Sequence, residues 1–239
     1  MTGPPVPALR PALSGSGERL VVDLGSPYRC VSSAVLGGGL GWVRTWLDLQ
    51  VERPYTRTDP GVHLLEESAD LPRPVVGMLT AARVTRFQRA AVGGALSVAT
   101  VGVGHALAAA GTRPRAVPAA STVDGPRAMP AAGTINLLVV VGEPLTDAGL
   151  VNALQTAVEA KAQALAAAGV RAANADGHAT GTATDSICVA CPPGARVPFA
   201  GPVTRVGAEL ALAVLEAVRS GAVSDRTVTA PPSRPGSTG

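Results

Sequence analysis

The chain has 239 residues, of which 46% are hydrophobic, 15% charged and 3% aromatic, with 28 Gly and 21 Pro. That apolar share excludes a wholly disordered chain, glycine follows no three-residue collagen period, and no apolar run approaches the ~20 residues of a membrane helix, so no membrane insertion is expected. Only Lys161 is a lysine among the 20 basic residues, the arginines are scattered, and few aromatics could stack bases, so the net charge of +3 does not mark a nucleic-acid partner.

In chain order, residues 1–17 hold four prolines and three glycines and read as a flexible tail, and 223–239 have the same character. Between them, 18–222 read as one domain. Strands are expected at 20–24, 28–36, 42–51, 75–80, 95–103, 135–141 and 186–190, which are short, rich in β-branched residues and bounded by Gly or Pro. The 43–51 run alternates apolar and polar residues, as a strand with one wet face does. A helix is expected at 62–68. Residues 111–132, rich in proline, read as a flexible insertion. The clearest helix is 146–167, where Thr146 suits the N-cap, Asp147 complements the positive helix end, and Leu150, Val151, Leu154, Val158 and Leu165 recur at helical spacing. Gly169 suits its C-terminal close, and a last helix is expected over 203–219, ending at Gly221. Strands outnumber helices early in the chain, so the fold class is α/β of the α+β kind: a single layered domain with a mixed β-sheet packed by helices, not a repeat of βαβ units.

Several segments carry more polar or glycine residues than packing needs. Gly37 to Gly41 offers a side-chain-free surface on which Gly38 and Gly39 let a backbone approach a flat ligand, and the same run would serve as a hairpin. RTDPGVH over 57–63 places Asp59 at a helix cap and His63 one turn in, as a proton carrier or ligand. His105 follows a glycine-rich strand end. Asn136, among apolar residues, needs partners or serves a substrate carbonyl. Asn152, Thr156 and Glu159 share a helix stripe, with Lys161 pointing elsewhere. The richest segment, NADGHATGTATDS over 174–186, gathers His178, Thr180, Thr182, Asp185 and Ser186 before an apolar strand, in the vocabulary of an anion-binding loop or of a nucleophile and base.

No signal peptide is expected, and Cys30, Cys188 and Cys191 are then too few for a disulfide framework. SICVAC over 186–191 reads as a strand, so the cysteines are expected to be structural, and the protein cytoplasmic. His63, His105 and His178, with Asp59 or Asp185, leave a divalent metal open, although no pair has helical ligand spacing.

The segments SSAVLGGGL (32–40), YTRTDP (55–60), GTIN (133–136), PLTD (144–147) with EAK (159–161), and TGTATDS (180–186) resemble, in this order, the adenosylcobinamide amidohydrolase family of corrinoid salvage. The resemblance covers about residues 20–220. Ala183 stands where many relatives have glycine, and 111–132 is longer than usual. The resemblance implies a corrinoid substrate and hydrolysis of the amide joining the corrin propionyl side chain to aminopropanol. It implies no agreed catalytic set and no certain cofactor, and homo-oligomerisation stays open. From the residues themselves, Glu159, Asp185, His63, Thr180 and Thr182 are the expected catalytic groups, with Asp185 and Glu159 facing one cleft. Gly38, Gly39, Asp59, Asn136, His105, His178, Lys161 and Ser186 are expected to bind substrate. With no GxSxG elbow, attack by water is preferred to an acyl-enzyme. A corrinoid-binding protein without catalysis, or an unrelated acyltransferase or peptidase, are the alternatives.

Overall fold

The computed structural model describes residues 8–14, 17–110 and 133–229. The insertion expected at 111–132 lies outside them. The elements are β1 (Ala8–Ser14), β2 (Gly17–Ser32), β3 (Gly39–Gln50), α1 (Pro60–Glu67), β4 (Val75–Thr80), a 3-10 turn (Val84–Arg86), β5 (Gln88–Val92), β6 (Ala95–Val101), β7 (Ile135–Val141), α2 (Asp147–Ala167), β8 (Ser186–Cys191) and α3 (Arg205–Thr229). They form one mixed sheet in the order β4-β3-β2-β8-β7-β6-β5, with β1 on β2. β7 runs parallel to β8 and β3 to β4, while the other pairs are antiparallel.

β6, β7 and β8 are buried almost throughout on both faces, which is why they read as mostly apolar runs, broken by Ser97, Thr100 and Asn136. Ile135, Leu137, Val139 and Val141 face α2 and α3, among Ala153, Ala157, Leu165, Leu210 and Val214. Leu138 and Val140 face the other way, into a cluster with Leu20, Val22, Trp46, Val76 and Met78 from the β2–β4 half. The sheet therefore curls until β3 and β4 lie over β6 and β7, which are not their neighbours in strand order. The outer side of β3 and β4 (Leu47, Leu49, Val75) is closed by Leu64 of α1.

Local chemistry explains the helix ends. Thr146 Oγ1 accepts from Gly149 N, and Gly169, at φ +67°, closes α2 while Val170 N returns to Leu165 O. α3 does not stop at Gly221 but runs on to Thr229. A Cβ at Gly221 would lie 2.5 Å from Val101 Cγ2, so this glycine serves a close helix–sheet approach and not a cap. The N-terminal stretch expected as a tail contains β1, and β5 is a strand the sequence pattern did not announce. The expected strands 20–24 and 28–36 are one, interrupted by a bulge: Asp23 pairs Thr45 and Tyr28 pairs Val43, so residues 24–27 stand opposite Arg44 alone. Among the described residues, no helix is long and apolar enough to cross a membrane.

β3 has no wet face over 45–49, because the curled sheet covers one side and α1 the other. Its Asp48 is wholly buried, accepting from Thr100 Oγ1 of β6 at 2.5 Å and from Asn136 Nδ2 of β7 at 2.7 Å. Asn136 Nδ2 also donates to Leu79 O of β4 at 2.9 Å, so one network ties both halves of the curl together. Burial pushes the Asp48 carboxyl up to about 6, against the pull of the bonds from Thr100 and Asn136.

An acid whose folded pKa is raised keeps its proton where the unfolded chain has lost it, so its contribution to stability is complete below pH 4 and falls away as pH climbs through 6. Relative to wild type, Asp48→Asn should therefore gain up to ~3 kcal/mol in unfolding free energy between pH 4 and pH 7.5. Urea unfolding at the two pH values measures this, and an unchanged difference would contradict the buried-acid account.

Candidate active site

Three segments meet beyond one end of β6, β7 and β8. The loop before β8 presents Asp185, whose Oδ2 accepts from Lys161 Nζ of α2 and from Thr182 N at 3.1 Å. Its Oδ1 accepts from Ile135 N of β7 at 3.0 Å and from Thr182 Oγ1 at 2.5 Å. These four donors match the roughly four lone-pair positions of a carboxylate, so Asp185 acts as a tie for its neighbours and has no position left to take a proton from water. The Lys161 and Asp185 side chains are only 8% and 10% exposed. A Cβ at Gly181 would sit 2.4 Å from Asp185 Oδ2 and 2.8 Å from Lys161 Nζ, so the ion pair needs glycine at that position.

Around this pair the polar groups are hydroxyls and backbone. Thr184 Oγ1 and Thr134 Oγ1 share a hydrogen bond of 2.8 Å. Gly133 is forced, since a Cβ there would stand 2.2 Å from Gly102 O and 3.3 Å from Thr182 Cγ2. The strap that carries His105 is laced to the same loop by Leu107 N to Gly181 O at 2.8 Å and Thr180 N to Leu107 O at 2.9 Å, while Thr180 Oγ1 accepts from Ala109 N. On the other side of β8, Ser33 Oγ accepts from Ile187 N at 3.0 Å, and the glycine hairpin that follows packs toward β4, with Leu36 N on Gly77 O at 3.3 Å. Gly37 and Gly39 take φ of +72° and +90°, and a Cβ at Gly38 would meet Ala34 O at 2.3 Å, so this turn depends on glycine.

The structure thus gathers Lys161, Asp185, Thr182, Thr180 and Ser186, with the strap that carries His105. It separates others. Glu159 is exposed on α2; Lys161, two residues on and so roughly 200° around the helix, is the residue that meets Asp185. Thr156 and Asn152 of the expected stripe hold the 200 loop instead, through Thr156 Oγ1 to Ala200 O and Ala200 N to Asn152 Oδ1. Asn136 cannot offer its amide to a substrate carbonyl, because Nδ2 is engaged by Asp48 and Leu79 and the residue is buried. Asp59 precedes α1 but makes no side-chain cap; Arg57 takes both its oxygens at 2.9 Å and holds its carboxyl below the usual range. His63 stacks on Tyr55, with Tyr55 Oη 3.1 Å from Nδ1. His178 is exposed opposite Arg171.

Among the described residues, no three His, Cys, Asp or Glu side chains gather to hold a metal ion, so the site sketched from the three histidines with Asp59 or Asp185 is not assembled. All three cysteines are buried and free. The bond to Cys30, together with burial, pushes Cys188 up, and burial pushes Cys191 up, as expected of structural thiols. Sequence reasoning missed Asp48, Ser33, Thr134 and Thr184. Thr184 lay inside the recognised loop, but nothing local distinguished Asp48 from the polar face of an ordinary strand.

The whole of this arrangement falls within residues 12–230, which match a family model described as adenosylcobinamide amidohydrolase. The chain belongs to that family. An adenosylcobinamide amidohydrolase of Halobacterium salinarum (strain ATCC 700922 / JCM 11081 / NRC-1) is 40% identical over 88 residues, which cover 36% of this chain and 34% of that relative. The aligned stretch thus spans about a third of the relative's length.

Removing one member of a buried ion pair strands the other, at a cost of ~3–5 kcal/mol. Lys161→Met should lose stability on that scale, and Lys161→Met with Asp185→Asn should recover much of it, as read by chemical unfolding. Losses in Lys161→Met and Asp185→Asn that simply add in the double variant would mean the pair is not coupled.

Proposed function

We propose that this chain hydrolyses the amide between the corrin propionyl side chain and aminopropanol in adenosylcobinamide, releasing adenosylcobyric acid and aminopropanol for corrinoid salvage in the cytoplasm. The observation that carries this reading is the family match over 12–230, which runs through every segment of the polar cluster.

Amide hydrolysis needs a donor at the carbonyl oxygen, an activated water and a proton for the leaving amine. In the proposed assignment the hydroxyls of Thr182 and Thr184 and neighbouring backbone N–H groups polarise the carbonyl, and His105, on the laced strap, moves the proton from water to the amine. Asp185 and Lys161 hold Thr182 and the loop in place. The corrin ring lies over the glycine hairpin, where Val35, Leu40 and Trp42 are exposed. Their apolar surface suits a flat macrocycle with few charges. Water is preferred as the attacking group, since among the described residues the hydroxyls of Thr180, Thr182 and Thr184 bond to groups other than a histidine.

Incubating the purified full chain with adenosylcobinamide and quantifying aminopropanol by mass spectrometry tests the reading, and stoichiometric release is expected. Thr182→Ala and His105→Ala should each lower the rate ~10²-fold or more without abolishing it. Glu159→Gln should leave the rate unchanged, and turnover should persist after exhaustive chelation. Tight corrinoid binding with no release would replace the hydrolase by a binding protein, and a trapped covalent adduct would replace water by a side-chain nucleophile.

A further inference from the structure

A cavity of about 180 Å³ opens between the turn after β4 and the C-terminal half of α3. Three arginines line it: Arg53 from the segment after β3, and Arg83 and Arg86 from the two ends of the 3-10 turn. Val101 and Gly221 also line it, where the helix comes closest to the sheet. The volume far exceeds the ~10–15 Å³ that one water molecule needs, so a polyatomic ligand fits.

The arginines stand on fixed backbone. Val84, between two of them, is buried, its N–H donates to Gln50 Oε1 at 2.9 Å, and Arg86 N returns to Arg83 O at 3.0 Å. Arg53 Nη2 reaches Ala81 O at 3.4 Å. Elsewhere Arg19, Arg29 and Arg57 meet carboxylates directly. Among the described residues, Arg53, Arg83 and Arg86 form no salt bridge with any carboxylate. Asp225, the one acid among the described residues that line the cavity, accepts at Oδ2 from Val103 N at 2.8 Å. Three arginines lining one small space give it a positive potential that attracts an anion, and a guanidinium fork binds oxyanions through paired N–H groups.

We propose that this cavity is a binding site for a phosphate-class oxyanion, distinct from the Thr180–Ser186 site. The donors that three lining arginines can offer suit the three equivalent oxygens of a phosphoryl group better than the two of a carboxylate. The site also borders the proposed catalytic loops. Ala82, one of its lining residues, lies 3.3 Å from where a Cβ of Gly102 would be, and Asp225 holds Val103, two residues before His105.

Calorimetric titration of the full chain with inorganic phosphate, with methyl phosphate and with acetate, at ionic strength fixed by sodium chloride, tests the proposal. Saturable phosphate binding is expected, with acetate weaker. Arg83→Gln with Arg86→Gln, both at exposed positions, should weaken phosphate binding by about tenfold or more, while Arg196→Gln leaves it unchanged. Equal affinity for inorganic and methyl phosphate assigns the cavity to a phosphate carried on a larger molecule, and preference for inorganic phosphate assigns it to the free ion. Heats no greater than those of chloride, or affinity retained in the double variant, overturn the site.

Discussion

Two carboxylates converge on the first two residues of β7. Asp185 takes the backbone N–H of Ile135 at the start of the strand, and Asp48 takes the side-chain amide of Asn136 inside the curl. The dipeptide is thus held by its main chain from the polar loop and by a side chain from the overlying half of the sheet. The helix layer, the overlying β3–β4 pair and the polar loop all take their positions from it. A strand start is usually where backbone pairing frays, and here charge-assisted bonds hold it at the point where the chemistry is proposed.

The two grips differ in kind. Asp185 faces a cation and enough donors to fill its lone pairs. Asp48 has only a hydroxyl and an amide, and the orphaned Asn136 Oδ1 beside it leaves that network short of one donor. A protonated Asp48 could turn its hydroxyl proton toward such an acceptor, which fits its displaced titration. The inner network is thus the less comfortable of the two in neutral solution, and tolerating it is the condition for closing the curl over β6 and β7.

Much of this architecture could be read along the chain. α2 was legible from its cap and Gly169, but its apolar spacing was only partly right: Leu150 and Leu165 are enclosed, Val151 and Val158 are exposed, and the buried face is mostly alanine. β7 and β8 were legible because strands covered on both faces are mostly apolar. β5 was not, since QRAAV carries a single β-branched residue, Val92, and no clean alternation, and Gly221 looked like a stop when it is a point of contact. The loop over 180–186 stood out by composition. Which helix residue it meets did not: Glu159 and Lys161 differ by two positions, and only the packing of α2 on the sheet decides which of them is enclosed. Asp48 was hidden for a similar reason. An alternating strand announces a polar face, but whether that face meets water or the far half of a curled sheet is a long-range fact.

The bulge in β2 has a further meaning for how the chain tolerates length changes. Leu20 and Val22 before it and Cys30 after it point into the same inner cluster, so the surplus stretch 24–27 keeps the two halves of the strand in phase. Gly25, at φ +78°, and the bond from its N–H to Asp23 Oδ1 give that stretch a stable shape at the surface. Because the surplus over β3 is three residues and the stretch leaves the extended conformation at Gly25, the facing of the two halves is set by the shape of this turn and not by a count of extended residues. In evolutionary terms β2 is two strands spliced at a joint, and the joint is where the strand can change length without moving either paired half.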